Sequence, residues 1–144
     1  MSELTEIRDR HYYGVANTDL DIGAAVFAPD VENLLPGRRP GSANGVEGWK
    51  RFAAPFFDAF SEVGFTIVKS LEMDDTIMTE GVMTASHTAP LEISVGMLPA
   101  TGRRVEIPYV DTFRVRDGRA VSHHVYFDLA SLMAQLGAMS APAG

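Results

Sequence analysis

The apolar positions change period once along the chain. Up to about residue 62 they recur at helical spacing, and from residue 63 they alternate. Leu4, Ile7, His11 and Val15 predict a helix over residues 3–16, with Ser2 ahead of it and Glu6 in its first turn. Asn17-Thr18-Asp19 breaks the pattern and can cap a second short helix over about 19–28, which Pro29-Asp30 ends. Val31 to Leu35 reads as a short strand, and PGRRPGSANG (36–45) as a loop. The clearest helix is 46–62, where Trp49, Phe52, Phe56, Phe57 and Phe60 share one face. Pro55 inside it removes a backbone donor and predicts a kink or a break.

Alternation then predicts two long strands, 64–73 and 76–88, joined at Asp74-Asp75. Residues 89–102, with two prolines and two glycines, form a long excursion. Two more strands follow at 104–116 and 119–127, joined at Arg116-Asp117-Gly118. A last helix, 128–138, has Asp128 as N-cap and Gly137 near its end. Helices first and a strand meander afterwards is the α+β order rather than βαβ. The expected architecture is a single domain over residues 1–144: a cone-shaped, strongly curved antiparallel sheet wrapped around N-terminal helices.

Composition narrows the function classes. A length of 144 residues suits one domain with one core. Twelve basic against nineteen acidic residues give a net charge of −7. Arg38-Arg39 and Arg103-Arg104 lie in loop-like stretches and no basic stripe forms, which argues against nucleic-acid binding. No apolar run reaches membrane-spanning length, and MSELTEIRDR lacks a signal-peptide core, so a soluble cytoplasmic protein is expected. Cysteine is absent, which excludes disulfides, thiolate metal sites and a Cys nucleophile. The four histidines (His11, His87, His123, His124) give no i, i+4 pair, and no phosphate-binding glycine loop or G-x-S-x-G elbow occurs. No metal and no cofactor are expected.

The last two strands carry the candidate chemistry. On 105–115 the odd positions Val105, Ile107, Tyr109, Asp111, Phe113 and Val115 form the buried face, with Asp111 its only charge. On 119–127 the apolar face is Val121, His123, Val125 and Phe127. A two-residue loop at Asp117-Gly118 would set Asp111 opposite His124; a three-residue loop with Gly118 at a bulge sets it opposite His123. Only the latter aligns the two apolar faces, so Asp111 and His123 are expected about 5 Å apart at Cβ. Such a pair is either an acid/base dyad, or a self-satisfied polar pair, or an aspartate bonded to a nearby tyrosine. Asn33 either offers an amide to a ligand or caps a loop. His87 has no facing that parity decides. His11 reads as helix packing, and His124 and Tyr126 fall on the outer face. The Trp49/Phe52/Phe56 stripe is core first and pocket lining second.

The order of elements, together with three segments, resembles the SnoaL-like polyketide cyclase family of the nuclear transport factor 2-like superfamily. The segments are RVRDGRAVSHHVYFDLASLMAQLG (114–137), GMLPATGRR (96–104) and SHT (86–88). The resemblance covers nearly the whole chain. It implies a deep apolar pocket, a homodimer packed through the sheet, and an apolar small-molecule substrate. It also implies a cofactor-independent intramolecular aldol-type ring closure in natural-product biosynthesis, performed by general acid/base catalysis. By the same resemblance Asn33 stands at a pocket asparagine and Tyr109 at a polar pocket position. Val125 stands where the cyclases keep their acid/base aspartate, and Asp111 where they keep a pocket histidine. Asp128 matches a family aspartate, for which its capping role is sufficient. The expected catalytic residues are Asp111 and His123; the expected binding residues are Asn33, Trp49, Phe52, Phe56, His87, Met97, Tyr109 and Val125. A non-catalytic binding or accessory protein and an epoxide- or ester-hydrolase-type relative are the alternatives. The hydrolase reading is weaker, because no arginine falls on the expected pocket face of the strands.

Overall fold

A computed structural model describes residues 2–93 and 96–139. Helix α1 (Glu3–Ala16) is capped by Ser2, whose hydroxyl accepts from the Thr5 amide. Helix α2 is only Leu20–Ala24, capped by Asp19. Strand β1 (Phe27–Leu34) begins where the second helix was expected to continue. The cause is pairing: β1 lies parallel to β7 at the sheet edge, and its register is irregular between Phe27 and Glu32. Pro29 falls in that irregular stretch, where a missing amide donor breaks no ladder bond.

Helix α3 (Gly45–Asp58) runs through Pro55 without breaking. It stops short of the expected end, because Phe60 opens strand β2 (Phe60–Met73). The Phe60 ring still packs on Phe56, 5.2 Å between centroids, so the aromatic stripe crosses the helix–strand boundary. Strand β3 (Thr76–His87) returns antiparallel to β2. The excursion holds a small antiparallel ribbon, β4 (Leu91–Ile93) and β5 (Gly96–Leu98). Strands β6 (Arg104–Arg116) and β7 (Arg119–Phe127) match their expected bounds, and α4 (Leu129–Gln135) is capped by Asp128.

The main sheet has the order β1-β7-β6-β3-β2. It is curved, unclosed and antiparallel except for the β1–β7 pair. Inner-face residues Ile77, Ala85, Val105, Ile107 and Phe113 are buried against helical residues such as Ile7, Val15, Trp49 and Ala53.

The β6–β7 connection corrects the expected register. Arg116 pairs with Arg119, so the loop is the two-residue Asp117-Gly118, both at positive φ (53° and 78°) as a type I′ turn requires. The register then slips: Val115 pairs with Ala120 but Arg114 with Ser122, leaving Val121 as the extra residue of a bulge. The bulge restores parity, so Ala120, His123 and Val125 share the face of Asp111. Asp111 is opposite Val125, and His123 is opposite Phe113. His123, Val125 and Phe127 keep the expected inward face, but Ala120 takes the inward place expected of Val121, and the expected Asp111–His123 rung does not exist.

One glycine shapes the inner face. Gly81 pairs with Tyr109, and a Cβ built on it would lie 2.5 Å from the Tyr109 hydroxyl oxygen and 2.7 Å from the Thr66 carbonyl oxygen. The Tyr109 phenol therefore needs this gap. Gly81→Ala is expected to destabilise by about 1–3 kcal/mol through overpacking. Urea unfolding checks this, and an unchanged midpoint would refute the reading.

Candidate active site

The concave face encloses a narrow cavity of about 70 Å³. Helix α1 supplies His11 and Tyr12, α3 supplies Trp49, Phe52 and Phe56, and the strands supply Phe65, Tyr109, Asp111, His123, Val125 and Phe127. Its wall is mostly apolar and aromatic, with polar groups on one side. Seven of the expected site residues line it: Asp111, His123, Trp49, Phe52, Phe56, Tyr109 and Val125.

Three do not. Asn33 is buried in β1, and its amide nitrogen donates to the carbonyls of Ala43 (2.8 Å) and Gly45 (3.1 Å). Its own N–H donates to Asn44 Oδ1. Its amide nitrogen clasps the 36–45 loop to the sheet, while its Oδ1 is buried without a partner. His87 is fully buried at the end of β3. Its Nδ1 accepts from the Thr101 amide at 3.1 Å, while its backbone N–H donates to Arg103 O and its carbonyl accepts from Gly102 N–H. It closes the base of the excursion, and burial holds its pKa below the usual value. Met97 sits on β5, 60% exposed, because the β4–β5 ribbon stands away from the main sheet.

Asp111 is 3% exposed, at the centre of a short hydrogen-bonded chain. Tyr12 O–H donates to Asp111 Oδ2 at 2.6 Å, and Tyr109 O–H donates to the Tyr12 oxygen at 2.9 Å. Asp111 Oδ1 has no partner. Burial pushes the Asp111 carboxyl up to about 7, against smaller opposing effects of the Tyr12 hydrogen bond and the Arg8 charge. Burial and the neighbouring carboxylate raise the Tyr12 hydroxyl further, and burial raises Tyr109 to about 12, so both phenols stay protonated donors.

Arg8 enters from α1, nearly buried. Its Nη1 donates to Ser70 Oγ (2.9 Å) and Thr79 Oγ1 (3.3 Å), and its other nitrogens meet Asp9. Thr79 is the β3 partner of Asp111, which places this cation one strand away from the carboxyl. An arginine is thus close to the site, but from a helix rather than from the pocket strands.

The histidines form an apolar cluster. His123 packs tilted against Phe113 (4.6 Å) and Phe27 (5.2 Å) and edge-on to His11 (4.9 Å between centroids). Burial, then repulsion from His11 and His124, drives its pKa well below 6.5, and its Nδ1 has no partner. His11 Nδ1–H donates to the Gly23 carbonyl at 2.8 Å, and burial lowers its pKa to about 4. Both imidazoles are neutral at pH 7. Asp111 and His123 share a wall but make no mutual hydrogen bond, so Asp111 takes the tyrosine-bonded alternative.

Tyr12, His11 and Arg8 were not singled out as site residues. Their signal was a polar group on the apolar stripe of α1: His11 interrupts Leu4, Ile7 and Val15, and Tyr12 follows it. Among the described residues, no cluster of three or more His, Asp or Glu groups could hold a metal ion, and no helix is long and apolar enough to cross a membrane.

A helix-lined, curved, unclosed sheet around an apolar cavity is the nuclear transport factor 2/ketosteroid isomerase-like fold of similar solved structures. The family model for SnoaL-like polyketide cyclases matches residues 6–136, and the chain belongs to that family. Solved structures agree in fold. A protein of Jannaschia sp. CCS1 assigned as a SnoaL-like polyketide cyclase has a TM-score of 0.80 and 19% identity over 95% of this chain and 93% of that one. IdmH of Streptomyces antibioticus, assigned as a polyketide cyclase, has a TM-score of 0.78 and 27% identity over 94% and 99%. A ketosteroid isomerase-like protein of Catenulispora acidiphila has a TM-score of 0.74 and 20% identity, with 92% of each chain covered. Among curated proteins no sequence matches. Family membership supports a cyclase- or isomerase-type role on a small molecule.

The buried carboxyl makes stability depend on pH. With a folded-state pKa near 7 against an ordinary 3.8, Asp111 keeps its proton while the unfolded chain loses it. Its contribution is fully present below about pH 4 and is lost as pH rises to about 7, by on the order of 4 kcal/mol. Asp111→Asn removes this loss. Urea unfolding from pH 4 to 8 should show the variant gaining on the wild type up to about pH 7 and level beyond it. A pH-independent difference would contradict the assignment.

Proposed function

We propose that the protein is a cofactor-independent cyclase or isomerase of natural-product biosynthesis, acting on an apolar, carbonyl-bearing small molecule by general acid/base catalysis. The observation that carries this is the pair of unpartnered buried atoms on one cavity wall, Asp111 Oδ1 and His123 Nδ1. Buried polar atoms without partners cost stability, and a ligand that meets both offsets that cost.

Asp111 is the base. A carboxyl with a pKa near 7 is partly ionised at neutral pH and more basic than an ordinary carboxylate, so it can remove a proton from a carbon next to a carbonyl. Tyr12, donating to Oδ2, holds the carboxyl in place and leaves Oδ1 to the substrate. Tyr109, donating to Tyr12, supports that orientation rather than bonding the oxyanion itself. Neutral His123 can donate from Nδ1 to the substrate oxygen as charge develops there. The proton on Asp111 then returns to carbon or oxygen, closing an isomerisation or an aldol-type ring closure without net redox change.

The α-protons of acetone, a small open-chain ketone, provide a test in D₂O followed by NMR. Wild-type protein is expected to accelerate exchange, with a rate rising through about pH 7, and Asp111→Asn to lower it about 10²- to 10⁴-fold. His123→Ala is expected to lower it less. Wild-type rates in both variants would remove the chemistry. A ligand then recovered unchanged would support the non-catalytic binding reading, which Val125 at the position of the cyclase aspartate favours.

The same proposal includes a homodimer packed through the convex face of the sheet. Met78 and Tyr126 are exposed there (46% and 51%), with Val82 and Val110 half-buried beside them. Tyr126→Arg is expected to shift the chain from dimer to monomer in sedimentation. A wild-type chain that sediments as a monomer at high concentration would overturn this part.

A further inference from the structure

The inner cavity is too small for a whole ring system. Its 70 Å³ is about half of the ~150 Å³ that accommodates one benzene ring. Immediately outside it lies a second, larger apolar groove of about 550 Å³, walled by α3, α4, β4 and the loop after β1. The two spaces share Phe52 and Phe56. These rings are stacked, 5.7 Å apart at 12°, and form a partition between the chambers. The groove's other wall is aliphatic, including Leu129 and Met133 of α4. Its charged groups are Arg38 and Glu92, both exposed at the rim, and the Arg38 guanidinium lies 5.6 Å from the Phe52 ring centre.

We infer that the outer groove is a second subsite, which holds the non-reacting alkyl or aryl body of the same substrate whose oxygen-bearing end enters the inner cavity past Phe52 and Phe56. This rests on the inner cavity being a substrate site. The volumes leave the remainder of any larger ligand outside, and the continuity through the shared rings puts that remainder in the groove. An apolar groove binds in proportion to the apolar area it covers, whereas a polar end is fixed by Asp111 and His123. The ligand class is therefore an elongated molecule with one carbonyl or hydroxyl end and an apolar extension.

A series of methyl ketones from acetone to 2-octanone tests this, with binding followed by the fluorescence of Trp49, the single tryptophan, on the inner cavity wall. In the wild type, affinity is expected to rise up to about fourfold per methylene. Met133→Glu and, independently, Leu129→Glu should each reduce the gain to less than about twofold. Binding of acetone should stay within about twofold, which also shows that either variant is folded. A flat wild-type series, or a gain that neither variant lowers, overturns the inference. So does a tenfold gain in 2-octanone affinity on removing residues 140–144, which would make the chain's own tail the occupant. So would 2-octanone affinity falling with protein concentration, which would make it a second copy. Deuterium exchange separates the two claims: a rising series without catalysed exchange keeps the groove and removes the chemistry, and a flat series with exchange does the reverse.

Discussion

One extra residue in one strand decides what the cavity contains. The Asp117-Gly118 turn is tight and would by itself send every second residue of β7 to the wrong face. Val121, unpaired in the bulge, reverses that parity for the rest of the strand. His123 and Val125 then face inwards with Asp111, while His124 and Tyr126 face outwards. Ala120, on the turn side of the slip, pairs with Val115, and its amide bonds the Val26 carbonyl in the contact with β1. The cavity wall and the convex surface of β7 therefore both follow from one local irregularity. Such bulges are frequent beside functional sites because they re-aim side chains without changing the fold.

The electrostatics inside depend on separation. A carboxyl, two phenols, an arginine and two imidazoles share one interior, yet only the Tyr12 phenol bonds the carboxyl, and Tyr109 bonds Tyr12. Arg8 is engaged by Ser70, Thr79 and Asp9. A direct Arg8–Asp111 pair would hold the carboxylate ionised and weakly basic; keeping the cation one strand away leaves burial as the dominant influence. The histidines face Phe27, Phe113 and Trp49 rather than the carboxyl, so they stay neutral instead of forming an imidazolium–carboxylate pair. The result is a weak acid near neutrality beside neutral imidazole, which suits proton transfer at carbon better than a fixed ion pair would.

How much of this was legible in the sequence divides along physical lines. The change of apolar period near residue 63 located the helices and the strands. Alternation named the inner residues of β6 correctly, because period-2 burial is a strong local signal. The bulge was not legible, since a three-residue loop and a two-residue loop followed by a bulge satisfy the same apolar pattern. Strand β1 was shortened in the reading because its start is stabilised by parallel pairing to residues about ninety positions away, and Pro29 masks it locally. Asn33 carried two readings, and only the positions of Ala43 and Gly45 show that its amide nitrogen holds the loop. Tyr12 was missed because a tyrosine on a helix stripe looks like core until the strand opposite it is known to carry Asp111.

The resemblance of the chain to the cyclases placed their acid/base aspartate at Val125 and their pocket histidine at Asp111, which taken along the sequence looks like loss of the catalytic group. The register gives that difference another meaning. Residues 111 and 125 are direct partners across β6 and β7. Side chains on such a rung start about 5 Å apart at Cβ, so a carboxylate moved from one to the other stays on the same wall within one side-chain length of where it was. The imidazole lies on the next rung, at His123 opposite Phe113. A carboxyl and an imidazole are thus still within one rung of each other, with their strands exchanged. What the exchange alters is the carboxyl's neighbourhood: at position 111 it meets Tyr12 on one oxygen and leaves the other free. The valine it displaces to position 125 adds apolar surface directly opposite and favours the burial that lifts the carboxyl towards neutrality.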